Sequence, residues 1–136
     1  MKKMTLALGF VAVAFLAAAL YAKSENAHVQ RIGMVIGMKE DRISAYEALH
    51  AASNPGVRDL LQKYNMHNFS IFIHELDGKY YLFGYYEYTG TDYKADMAKL
   101  AAEPRNEKWL ATTGPMQIPL PCEQSWSMMK EVYHNP

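Results

Sequence analysis

Tyr46 and His50 stand four residues apart in the stretch YEALH. On a helix that spacing puts both side chains on one face, one turn apart. Histidine exchanges protons near neutrality, so an imidazole held against a substrate serves as a general acid or base. A tyrosine one turn earlier can orient that imidazole or hydrogen-bond the ligand. The pair also fits plain packing, since a single histidine on the inner face of a helix is commonly a satisfied core residue. Glu87, a carboxylate among tyrosines in YYLFGYYEY, fits either a second proton-relay group or a solvent-facing strand residue. His67 and His74 read as strand residues rather than ligands. Cys122, the one cysteine, sits between Pro121 and Glu123; it has no partner for an intrachain disulfide and no nearby histidine to activate it as a nucleophile. The sequence contains no HxxxH or HExxH pattern and no Cys/His cluster, so no metal site is expected.

The elements that must position these groups follow from periodicity. In VQRIGMVIGM, Ile32, Met34, Ile36 and Met38 alternate with Gly33, Val35 and Gly37, the period of a strand, and the glycines imply that something packs closely on the second face. KEDRISAYEALHAA has helical spacing and should end or kink near Pro55. Helical periodicity resumes in GVRDLLQKYNM through Val57, Leu60, Leu61 and Tyr64, with Asn65 as its terminating residue. HNFSIFIHEL and YYLFGYYEY flank an Asp77-Gly78 hairpin turn. Thr91 is placed to cap a helix carrying Tyr93, Met97 and Leu100, and Pro104 to open a further helical segment with Trp109 and Leu110. TTGPMQIPLP reads as a loop and SWSMMKEVYH as a final strand. The order is β-α-β-β-α-β, which predicts an α+β fold of the ferredoxin-like kind, two helices covering one face of a four-stranded antiparallel sheet. The other face, rich in aromatic residues, calls for a partner, so a homodimer or a face-to-face barrel is expected.

The N-terminus is of a different character. A basic MKK precedes an apolar run, TLALGFVAVAFLAAAL, followed by small residues suited to cleavage. This is the layout of a secretory signal peptide over residues 1–22. An uncleaved anchor is the alternative, because the segment approaches the ~20 residues that span a bilayer. On either reading the domain, residues 28–136, lies outside the cytoplasm, periplasmic or secreted, and touches a membrane only through that segment. The formal charge is zero and there is no basic run beyond Lys2-Lys3, which argues against nucleic acid as a partner.

From Arg31 to the C-terminus the chain resembles the L-rhamnose mutarotases. The resemblance is carried by YEALH, HNFSIF, LFGYYEY, EKWL and EVYH in order and spacing, across nearly the whole domain. It implies a dimeric α/β barrel that interconverts the α and β anomers of a deoxy sugar without cofactor or metal. It further implies that His50 is the proton donor and that Tyr46 contacts sugar, with further contacts at Phe69, Trp109 and Leu110. The family pattern carries a tyrosine where this chain has Phe69, a second tryptophan where it has Leu110, and tryptophan and glutamate around Pro55 where it has Asn54 and Gly56.

Such a reaction suits these residues. Opening a cyclic hemiacetal protonates the ring oxygen and deprotonates the anomeric hydroxyl, which needs an acid and a base but no electron sink. Aromatic rings offer an apolar body for the C–H face of a sugar. The reduced aromatic set gives a second reading, a non-catalytic sugar-binding module on the same fold. The wider class of dimeric ferredoxin-like barrels also includes monooxygenases and haem-degrading proteins, but nothing in this sequence demands haem or oxygen chemistry.

Overall fold

A computed structural model describes residues 29–136; the expected signal segment at 1–22 lies outside the described residues. Strand β1, Gln30–Met38, buries Ile32, Met34, Ile36 and Met38, as its period-two pattern requires. A 3-10 turn at Glu40–Arg42 leads into helix α1, Ile43–His50, and helix α2 follows at Arg58–Lys63. Strands β2, Met66–Leu76, and β3, Lys79–Tyr88, form the hairpin around Asp77-Gly78. Helices α3, Tyr93–Ala101, and α4, Pro104–Thr113, come next. Two short strands close the chain, β4 at Gln117–Ile118 and β5 at Ser127–Met129.

The sheet is antiparallel in the order β2-β3-β1-β4, with β5 also paired to β1. In its centre Ile32 lies opposite Tyr86 and Ile36 opposite Leu82, so the buried residues of β1 and β3 share the face that the helices cover. Val57 and Leu60 from the second helical segment and Leu100 from α3 complete one core cluster; Tyr46 joins Ile36, Met38 and Leu82 in another. Trp126 packs against both. On the opposite face lie Arg31, Val35, Phe83, Tyr85 and Glu87, by the alternation of strand side chains.

Three expectations are corrected. The final strand does not run through SWSMMKEVYH: only Ser127–Met129 pairs, and the edge is shared with Gln117–Ile118 from the stretch read as a loop. Pro119 and Pro121 supply no N–H to a ladder, so the edge strand is interrupted between its two pieces. Glu131 nevertheless continues beside Arg31 through an ion pair of 2.7 Å. The cap of α3 is Asp92, not Thr91, because its carboxylate lies within reach of the Ala95 amide at 3.0 Å. Asn65 does end α2 in the left-handed conformation, φ 62°. The glycines of β1 have the close neighbours their pattern implied: a Cβ on Gly33 would meet Met129 at 3.1 Å, and one on Gly37 the Ile118 carbonyl at 2.7 Å.

Candidate active site

His50 is the last residue of α1, where the helix runs out of amide donors for its terminal carbonyls. Arg58 supplies them. Its guanidinium donates to the carbonyls of His50 (2.8 Å), Ala51 (3.1 Å) and Asn54. That clamp fixes the backbone under the imidazole. The ring is fixed as well. Nδ1 lies 2.8 Å from the Tyr46 carbonyl, which can only accept, so Nδ1 carries a proton in either charge state. In the neutral ring Nε2 then holds the lone pair and is the nitrogen that takes up and returns a proton. The imidazole stacks on Tyr46 (centroids 4.1 Å, 30° between planes) and meets Trp109 edge-on at 5.0 Å.

Tyr46 is buried, and that burial pushes its phenol up to about 12, against a smaller opposing effect of the Gln117 amide. Gln117 donates to the phenol oxygen over 3.5 Å. Tyr46 is therefore a neutral phenol wherever histidine titrates. It can orient or donate but does not act as a base.

The segment Ala51–Gly56 is small for a reason. Gly56 has φ 54°, and a Cβ there would lie 3.2 Å from the Trp109 ring. Asn54 closes this turn by accepting from the Gly56 amide at 3.1 Å. The bare glycine lets the loop seat the indole, which in turn edges the imidazole. Phe69 arrives by a different device. Pairing of β2 with β3 slips between His67 and Ser70, with Asn68 at φ 51°. This bulge turns Phe69 towards the helix-covered face, where its ring meets Tyr86 at 5.2 Å. Tyr86 is pushed far above the ordinary tyrosine range by burial and by its bond with Tyr93, 2.6 Å between hydroxyls.

These groups line a cavity of about 820 Å³ between the helices and the sheet, within the ~300–1,000 Å³ range of small-molecule sites. His50, Tyr46, Phe69, Trp109 and Leu110 all border it. Leu110 is 54 % exposed and stands at its rim. Glu87 is not brought to the others. It lies on the opposite sheet face, where it accepts from Asn68 (2.6 Å) and Tyr85 (3.0 Å), and these bonds hold its carboxyl below the usual range. Among the described residues no three His, Cys, Asp or Glu side chains converge as a metal would require. Arg58, Asn106 and Gln117 also border the cavity and were not singled out from sequence. Asn106 carried the clearest signal, lying three residues before Trp109 on the same helix.

Fold and site together define the class. Solved structures with this architecture include the L-rhamnose mutarotase of Formosa agariphila, at 19 % identity and TM-score 0.58, covering 79 % of this chain and 99 % of that one. A nipsnap family protein of unknown function from Agrobacterium tumefaciens matches at 16 % and 0.56, covering 82 % and 95 %. A Nitrosomonas europaea protein assigned as an antibiotic biosynthesis monooxygenase matches at 15 % and 0.51, covering 79 % and 94 %. The fold is the α+β arrangement with a curled antiparallel sheet found in dimeric α+β barrel proteins. A search of curated protein sequences gave no match. The family model for L-rhamnose mutarotase matches residues 31–135: the chain belongs to the L-rhamnose mutarotase family.

Proposed function

We propose that this protein is an exported mutarotase that interconverts the α and β anomers of L-rhamnose or a related deoxy hexose. The observation that carries the reading is the 2.8 Å contact between His50 Nδ1 and the Tyr46 carbonyl. With Nδ1 committed to the Tyr46 carbonyl, neutral Nε2 removes the proton of the anomeric hydroxyl. The resulting imidazolium returns a proton to the ring oxygen as the C1–O5 bond opens. Rotation of the freed aldehyde and the reverse proton transfers close the ring on its other face. Trp109 offers the apolar surface for the sugar's C–H face. Nothing is oxidised or reduced, and no cofactor is called for.

The test is exchange between the anomer signals of L-rhamnose and of fucose, measured by NMR on purified protein. Wild type is expected to exchange them well above the buffer rate, and His50→Ala to lose roughly 10²–10⁴-fold. Exchange no faster than buffer, or an undiminished His50→Ala rate, rejects the mutarotase. Calorimetric binding of sugar without rate enhancement would favour a binding module instead.

Export rests on the MKK leader and the apolar run behind it. Mass spectrometry of the protein recovered from the cell envelope and medium tests it. A homodimer is expected through the uncovered sheet face.

A further inference from the structure

We propose that the Asn106 side-chain amide binds a ring hydroxyl of the substrate and helps set which sugar is accepted; this rests on the mutarotase reading of the same cavity. Asn106, Trp109 and Thr113 lie at positions i, i+3 and i+7 of α4 and therefore share one face. Asn106 is only 6 % exposed. An asparagine buried to that degree is costly unless its amide is hydrogen-bonded. Thr113, on the same stripe, spends its hydroxyl on the Trp109 carbonyl at 3.0 Å. The Asn106 amide has no such protein partner among the described residues. No fully enclosed side-chain nitrogen or oxygen there is left without a partner either, so the amide keeps some accessible surface, and the space that Asn106 borders is the cavity shared with His50 and Trp109.

The rest of the cavity makes this amide valuable. Phe69 has no hydroxyl and Leu110 no ring N–H. The Tyr86 hydroxyl is engaged by Tyr93, and the Gln117 amide by Tyr46. An asparagine brings two donors and an acceptor, the combination that adjacent sugar hydroxyls require. A site that pairs a hydroxyl with a buried polar group discriminates strongly against analogues lacking it.

The experiment compares wild type, Asn106→Ala and Asn106→Leu on L-rhamnose and on its singly deoxygenated derivatives. On L-rhamnose, Asn106→Ala is expected to raise KM about threefold to tenfold, the loss of one hydrogen bond, with kcat within about twofold. On the one derivative that lacks the bonded hydroxyl, wild type and variant should share the same KM. Asn106→Leu is expected to match or exceed the wild-type Tm, because it replaces an amide that serves ligand rather than fold. An unchanged KM, a KM ratio that is equal on every derivative, or a fall in Tm for Asn106→Leu overturns the proposal. If wild type binds sugar without exchanging anomers, the mutarotase reading fails alone and the same comparison is made with calorimetric Kd values. If wild type neither exchanges nor binds these sugars, both fall together.

Discussion

A single methyl group at Gly56 tests how the imidazole of His50, the proposed proton-transfer group, is held. The Cβ of Gly56→Ala would lie 3.2 Å from the Trp109 ring on a backbone at φ 54°. The strain of that conformation for alanine is about 1–2 kcal/mol. The variant should lose stability of that order in urea melts, and KM should rise as the indole shifts; an unaltered KM would show that Trp109 does not meet the sugar. Tyr46→Phe makes a separate prediction. The phenol's folded value is raised from 10.0 to about 12 by burial, so its stabilising effect is complete below pH 10 and disappears as pH rises towards 12. That contribution is on the order of 2–3 kcal/mol. Tyr46→Phe should flatten this alkaline loss, measured by denaturation across pH 9–12. At this scale the sequence was legible where spacing alone decides, as for Tyr46 and His50. It was silent where a contact joins distant positions: nothing in AASNPG says that Gly56 faces Trp109, or that Arg58 will serve the end of α1.

Elements were read well where one periodicity dominates. β1 and β3 follow alternation, and Pro104 opens α4 as its fixed φ and missing N–H favour. The edge strand was harder. Its two pieces are too short to show a period, and their pairing with β1 depends on register rather than on local propensity. The bulge in β2 was equally hidden, although it turns the Phe69 ring to the helix-covered face and leaves the Asn68 amide to Glu87. One junction between elements gives a pH prediction. The Asp96 carboxylate accepts from Asn65 and Tyr88, each at 2.8 Å, joining the end of α2 to β3 and α3. The Asn65 bond first, then the Tyr88 bond, hold its carboxyl below 3.8. Stability from this junction is thus complete above about pH 3.8 and is lost as pH falls through the lowered folded value. Asp96→Asn should be less stable than wild type at pH 7, and the difference should shrink as acid is added. Parallel urea melts from pH 7 to pH 2.5 check this; a constant difference would mean that Asp96 acts by packing alone.

At the scale of the whole molecule, the helices cover one sheet face and leave the other bare. The bare face includes Phe72, 63 % exposed and directly opposite Phe83 on β3. Beyond β5 the chain continues with Val132 and Tyr133, 87 % and 77 % exposed. The proposed homodimer would use these exposed apolar groups as its association surface. A two-fold pairing of the bare faces would cover them, with each tail free to lie on the neighbouring chain. It would also bury Arg31, Glu131 and Glu87, whose charges already have partners on the same face. The cavity lined by His50 and Trp109, on the far side of the sheet, would stay open in both copies. Light scattering of the wild type should therefore report twice the chain mass. Phe72→Lys, which places a charge on the β2 edge of that surface, should report a single chain while keeping the wild-type circular dichroism. A wild-type monomer at about 100 μM, far above the Kd of an ordinary stable interface, would remove the dimer. A Phe72→Lys dimer would move its interface to another face.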